Sequence, residues 1–183
     1  MKNLNNAYKH FKTITTHKLT VMQHCFRLGL YSQGLLHDLS KYSPTEFVQG
    51  MTYYQGTRSP NNAEREDKGY SEAWLHHKGR NKHHFEYWLD YSNDESRALV
   101  CAKMPTKYFL EMFCDRVAAS KIYNGDRYTD ADAYNYFMKS KERSLMNEAD
   151  KKRLEFLLKM LKDKGEDYTF SYIKRHIKRK RFA

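Results

Sequence analysis

No stretch of this chain approaches the ~18–20 consecutive apolar residues that a membrane-spanning helix needs, so no membrane span is expected. The opening MKNLNNAYKHFK lacks the apolar centre of a signal peptide. Cysteine is sparse: Cys25, Cys101 and Cys114 are odd in number and form no CxxC, which fits reduced thiols in a cytoplasmic protein better than a disulfide framework. Valine and isoleucine are also scarce, so few segments read as strand. The mean hydropathy of −0.93 would suit a disordered chain. A 15% aromatic content argues against that, because large rings build a core under a heavily charged surface.

The net charge of +11 invites a nucleic-acid reading, but six of the 33 basic residues lie in the last ten positions, KRHIKRKRFA. Such a run ordinarily stays solvated as a tail. An electrostatic grip on nucleic-acid phosphates is the alternative. The length fits one domain over residues 1–173, with 174–183 as a basic tail.

The apolar residues recur at helical spacing, which predicts an all-α, single-domain helical bundle. Val21, Met22, Cys25, Phe26, Leu28 and Leu30 place a helix over 16–31, and a short helix follows over 33–42. Ser43-Pro44-Thr45-Glu46 reads as a helix start: a serine cap, a proline in the first turn and a glutamate reaching back. Residues 55–69 are polar without periodicity and read as a mobile binding loop bordering the functional pocket. Further helices are expected over 71–78, 83–91, 94–103, Pro105–Asn124 with Gly125 as terminator, 130–144 and 147–164.

The stretch GLLHDLSK carries the chemical question. Two leucines lead into His37 and Asp38, and a buried carboxylate beside an imidazole is costly unless something pairs with it. A metal ion is the obvious partner. Of nine histidines, His10, His24 and His176 read as ordinary polar residues, although His24 shares a helical face with His17. In HHKGRNKHH the pairs His76/His77 and His83/His84 bracket a tight turn, so one member of each pair can face a common interior, where neutral imidazole is a good transition-metal ligand. A surface cluster is the plainer alternative. Asp115, in the apolar setting MFCDRVAAS, needs a partner, either a metal or a basic residue in a buried ion pair.

Taken in order, THKLTV at 16–21, GLLHDLSK at 34–41 and CDRVAAS at 114–120 resemble the HD-domain superfamily of metal-dependent phosphohydrolases. The resemblance spans somewhat more than half of the chain. It implies a helical bundle of the HD-domain type. It also implies that His17, His37, Asp38 and Asp115 form the four-ligand metal site, and that Lys41 faces the substrate's negative charge. HHKGRNKHH falls where two-metal members carry additional histidines.

The expected chemistry is hydrolysis of a phosphate ester, that of a nucleotide or related small molecule, with one or two divalent ions. Mixed imidazole and carboxylate ligands suit Mn, Fe, Co, Ni or Zn. Asp38 is the candidate bridge between two ions, because a carboxylate offers two oxygens. Arg58, Arg80 and Lys82 are candidate contacts to a bound anion. The alternatives are a di-iron oxygenase of the HD-like type and a metal-stabilised nucleic-acid-binding protein.

Overall fold

The computed structural model describes residues 2–142 and 144–177. They fold into one predominantly α-helical domain. The long first helix α1 (Lys2–Arg27) lies against α6 (Thr106–Asn124) and carries α2 (Tyr31–Leu36) on its flank. The core forms where Val21, Cys25 and Leu28 of α1 meet Phe109, Phe113 and Val117 of α6, all fully buried. Helices α7 (Asp132–Ser140), α8 (Glu148–Lys164) and α9 (Glu166–Tyr172) close the other side with Phe137, Leu157 and Phe170.

Gly34 lets α2 approach α1 closely. A Cβ there would lie 3.1 Å from both the Cys25 Cβ and the Phe26 ring. The carbonyls at the end of α2 are then held by α1 itself, since Lys18 Nζ donates to Leu35 O at 2.7 Å and His37 O at 2.9 Å. A cation on the last carbonyls of a helix is favourable. This clamp sets His37 and Asp38 beside His17. The expected helix over 33–42 is therefore broken: it stops at Leu36, turns through Asp38 and resumes as a 3-10 turn over Leu39–Tyr42.

The Ser43-Pro44 signal starts α3 (Pro44–Thr52), and Ser43 Oγ accepts the Glu46 amide at 3.4 Å. Glu46 does not close the capping box, because its carboxylate turns to two histidines instead. Residues 55–69 are not a structureless loop. Ser59-Pro60 opens α4 (Pro60–Lys68), and Gly69, at φ 82°, ends it. Polar contacts hold this helix, which is why apolar periodicity misses it: buried Glu64 accepts Ser71 Oγ at 2.6 Å and the Glu72 amide at 3.1 Å. It thereby joins α4 to the start of α5 (Glu72–Lys78).

The helices expected over 83–91 and 94–103 are replaced by a 3-10 turn, Phe85–Trp88, and an antiparallel hairpin of β1 (Leu89–Tyr91) and β2 (Leu99–Cys101). The connecting SNDESR segment decides this. Asp94 accepts the Ser96 amide and hydroxyl and the Arg97 guanidinium, so a local side-chain turn outcompetes helix propagation. Further boundaries differ, and helix α1 runs over Lys2–Arg27 where a helix over 16–31 was expected. Helix α7 ends at Ser140, short of the expected 144, and α9 lies beyond the last helix expected from periodicity. Residues 173–177 continue as a π-helical turn with Ile173 in the core, while residues 178–183 of the basic tail lie outside the described residues.

Candidate metal centre

Four elements deliver side chains to one interior point: α1 gives His17, the α2 turn gives His37 and Asp38, the α5 region gives His77, His83 and His84, and α6 gives Asp115. Two groups of potential ligand atoms result, each with its atoms within 4.8 Å of one another. His17, His37, Asp38 and Asp115 form the first; Asp38, His77, His83 and His84 form the second. Both groups can hold a metal ion, and Asp38 belongs to both.

Its two oxygens divide between them. Oδ2 lies 3.3 Å from His37 Nε2 and 3.9 Å from His17 Nε2, while Oδ1 lies 3.2 Å from His77 Nε2 and 3.3 Å from His83 Nε2. The backbone helps this placement. Asp38 sits at φ 53°, the one positive-φ residue other than glycine among the described residues, in a region that aspartate tolerates better than most. Asp115 Oδ1 approaches the first group from α6, 2.9 Å from His17 Nε2 and 3.6 Å from His37 Nε2.

A third group, His37, His83 and Glu111, has a different character. The Glu111 carboxylate accepts from His37 Nδ1 at 2.9 Å, and His83 Nδ1 lies 3.2 Å from the same oxygen. Glu46 likewise accepts from His77 Nδ1 at 2.7 Å. With a carboxylate at Nδ1 in each case, the Nε2 atoms of His37, His77 and His83 all point at Asp38; burial would lower the pKa of His37 and His77, but the charge of Asp38 outweighs it and raises both, so without an ion these rings carry positive charge that a metal would displace. Carboxylates of this kind fix the tautomer and orientation of ligating imidazoles. Neither Glu111 nor Glu46 was legible as a site residue, although Glu111 stands one helical turn before Asp115 on the same face of an apolar helix.

The donor set fits a cation. His37 Nε2, His83 Nε2 and Asp38 Oδ1 are buried without a hydrogen-bond partner among the described residues. His77 Nε2 and His84 Nε2 face each other at 2.9 Å, a hydrogen bond when one of them carries a proton and a shared ligand edge when both give it up to a metal. Burial, reinforced by the charge of Lys41, lowers the pKa of His17. Burial together with His83 and His77 holds that of His84 well below its usual value. Both rings are thus kept neutral, as metal ligation requires. Burial alone would raise the pKa of Asp38 and Asp115, but the surrounding imidazoles, with Lys41 for Asp38, outweigh it and hold both carboxyls ionised.

The remaining candidates divide. Lys41 Nζ lies 2.7 Å from Asp38 Oδ2, with its side chain 28% exposed at the edge of the cluster. Burial would lower its pKa, but the charges of Asp38 and Asp115 more than reverse this and keep it an ammonium. His76 is a correction. It belongs to neither group and instead donates Nδ1 to Glu46 at 2.6 Å, so the second pair, not one member of each, supplies both His83 and His84. Arg58 is drawn into a two-pronged pair with Glu66, at 2.6 Å for each nitrogen. Arg80 donates to His76 O at 3.3 Å, and Lys82 lies over the Tyr87 and Tyr108 rings. Among the described residues none of these three side chains pairs with a ligand side chain of the cluster, although the Arg80 amide donates to His77 O at 3.1 Å. His24 stays outside it as well, near Cys114 O and Glu166, and His10 packs on Gly50, Phe47 and Tyr54.

Residues 6–160 match the model of a protein family described as a family of unknown function (DUF5662). No curated protein and no solved structure matches the chain.

Proposed function

The chain belongs to the family of unknown function DUF5662, and for it we propose a metal-dependent phosphohydrolase of the HD-domain type, acting on a phosphate ester such as a nucleotide. The observation that carries this reading is the division of Asp38, whose two oxygens each face a separate set of three further ligands. A bridging carboxylate between two nitrogen-rich sets suits a pair of divalent transition ions, of Mn, Fe, Co, Ni or Zn, better than Mg or Ca. Bound there, such ions supply Lewis-acid stabilisation of phosphoryl oxygens and a water of lowered pKa.

The chain's own residues account for the rest. Glu111 and Glu46 hold the imidazoles with their Nε2 atoms inward, so the ligand geometry is set before substrate arrives. Lys41 is the one lysine paired with a cluster carboxylate among the described residues. Its side chain reaches solvent at the edge of the cluster, so an incoming phosphoryl oxygen would compete with Asp38 for it. A fixed positive charge at that point favours the negative charge of the phosphoryl group as the leaving bond breaks.

Two substitutions test the reading. Lys41→Ala is expected to keep its metal and lose turnover by ~10–100-fold, the scale of one electrostatic contact to the transition state. Asp38→Ala is expected to lose metal and activity together. Elemental analysis of anaerobically purified protein, paired with a screen of phosphate esters, supplies the readout. Undiminished hydrolysis in Lys41→Ala, or metal retained in Asp38→Ala, would count against the proposal. Iron with dioxygen consumption and no hydrolysis would replace it with the oxidative alternative.

A further inference from the structure

Each ligand group of the metal cluster has one member that is not buried: Asp115 in the first and His84 in the second. These two mark where the cluster opens to solvent, and the residues around them decide what can enter. Asp115 is followed on α6 by Arg116, whose Nε is buried with no hydrogen-bond partner among the described residues. His84 packs edge-on against Trp74, with 4.7 Å between ring centroids, and the Arg65 guanidinium lies over the same indole at 5.5 Å. Helix α4, which carries Arg65, reaches α6 at its other end, where Ser59 lies beside Tyr123, about two turns beyond Asp115. The helix therefore spans the opening.

Neither guanidinium is neutralised. No ion pair joins Arg65 or Arg116 to a carboxylate among the described residues; the Arg65 side chain is held by Asn62 Oδ1, at 3.0 Å, and by the indole. Burial raises the Glu86 pKa and outweighs the charges of Arg116, Lys78 and Arg65, which converge on it. Three cations thus surround a single carboxyl that is reluctant to ionise, an unfavourable arrangement until an anion joins it. The planar guanidinium presents paired N–H groups that match the oxygens of a phosphate. Lys41 stands elsewhere. It meets Asp38 Oδ2 on the side of the first group, whereas the stack of Arg65 and Trp74 rests on His84 of the second.

We propose that Arg65 and Arg116 form a second anion subsite at the mouth of the cluster. The substrate is then a phosphate ester with two linked phosphoryl groups, one at Lys41 and the metal ligands, the other between the arginines. That the bound anion is a substrate rests on the hydrolytic activity proposed for the site; the subsite itself rests on the two unpaired guanidinium groups.

The chain carries its own reporter. Of its two tryptophans, Trp74 lies under Arg65, while Trp88 packs on Tyr87 and Tyr108. Inorganic pyrophosphate added to the full chain should change the tryptophan emission, and the change should vanish in Trp74→Phe. Arg65→Gln and Arg116→Gln should each raise the pyrophosphate dissociation constant by ~10–100-fold, the scale of a lost charged hydrogen bond, with circular dichroism and metal content unchanged. Arg80→Gln is the control and should match the parent, since that side chain donates to a backbone carbonyl. In turnover, KM for a nucleoside diphosphate should rise in both arginine variants, while that for para-nitrophenyl phosphate stays within ~2-fold. Pyrophosphate affinities equal to the parent's in Arg65→Gln and Arg116→Gln would overturn the subsite. So would a single-stranded oligonucleotide that binds more tightly than pyrophosphate and is lost in the same variants. Pyrophosphate binding as expected, with no phosphate ester hydrolysed by the parent, would keep the subsite and remove the proposed activity.

Discussion

Glu111 is the strongest test of how the candidate metal centre is organised, because one carboxylate contacts histidines of both groups. It accepts from His37 Nδ1 at 2.9 Å and lies 3.2 Å from His83 Nδ1, so it fixes one ligand on each side of Asp38. The side chain is only 7% exposed, and the Glu111→Ala variant leaves two Nδ1–H groups without this partner. Each ring then gains by moving its proton to Nε2, where the proton blocks the lone pair that faces the metal. A hydrogen bond to a charged group is worth about 1.5–3 kcal/mol, so the affinity of each site should fall by ~10–100-fold, the range measured for such supporting carboxylates. Glu111→Gln should be milder: its amide oxygen still serves one ring while its NH₂ faces the other, so one site weakens and its neighbour survives. Glu46→Gln is the control, since Glu46 supports His77 and should affect the second group alone. Titration of Co(II) or Zn(II) against a competing chelator, with far-UV circular dichroism to show that the fold is kept, separates these cases. Should Glu111→Ala keep both affinities within about twofold, the carboxylate is a structural partner and the two-group reading loses its organising residue.

Chelation should lower the thermal midpoint by ~5–10 °C relative to metal at 100 times its dissociation constant, because such binding adds about 2.7 kcal/mol to the folded state of a domain this size; a midpoint indifferent to metal and chelator would refute it. Gly50→Ala should destabilise by ~1–3 kcal/mol in urea titrations, since its Cβ would sit 2.2 Å from the His10 ring, which Phe47 and Tyr54 hold in place. Burial, aided by Lys41, depresses the His10 pKa from 6.5 to about 4. The unfolded chain therefore binds the extra proton first, and stability should decline as pH falls from about 6.5 to about 4, by ~3 kcal/mol at most from this group. Urea midpoints across that range should fall less steeply in His10→Leu than in the parent.

The parts of the site that were legible in the sequence are those whose signal is local. His37 and Asp38 follow two leucines directly, Asp115 sits inside an apolar helical stretch, and Ser43-Pro44 marks a helix start with its own side chain. What was missed depends on partners distant along the chain. Glu46 looks like the third residue of a capping box until His77, 31 residues later, takes its carboxylate. Glu111 looks like one polar residue in an apolar helix until His37 and His83 arrive from two other elements. Helix α4 escaped notice because Glu64 anchors it through hydrogen bonds, and hydrophobic periodicity is blind to that. The hairpin escaped because a short Asp94 turn decided the matter against moderate helix propensity on both sides.

The energetics of Asp38 bear on why such a cluster exists at all. Its carboxylate is 2% exposed, its backbone is in the left-handed region, and Asp115, Glu111 and Glu46 add further negative charge to the same interior. A core built only for stability gains little from this, since well-packed apolar residues of similar volume do as well or better than buried ion pairs. Without a cation, Lys41 and the imidazoles must supply the positive charge, and the 2.7 Å contact between Lys41 Nζ and Asp38 Oδ2 is where they do so. In the proposed metal-bound state a divalent ion at the same oxygens would take over that neutralisation. Lys41 would then lose its one direct carboxylate contact among the described residues, and its ammonium, held beside the cluster by the turn that carries it, would be available to an anion from solvent. On the proposed reading, cation binding and anion recognition would be coupled through one oxygen of Asp38, the residue common to both ligand groups.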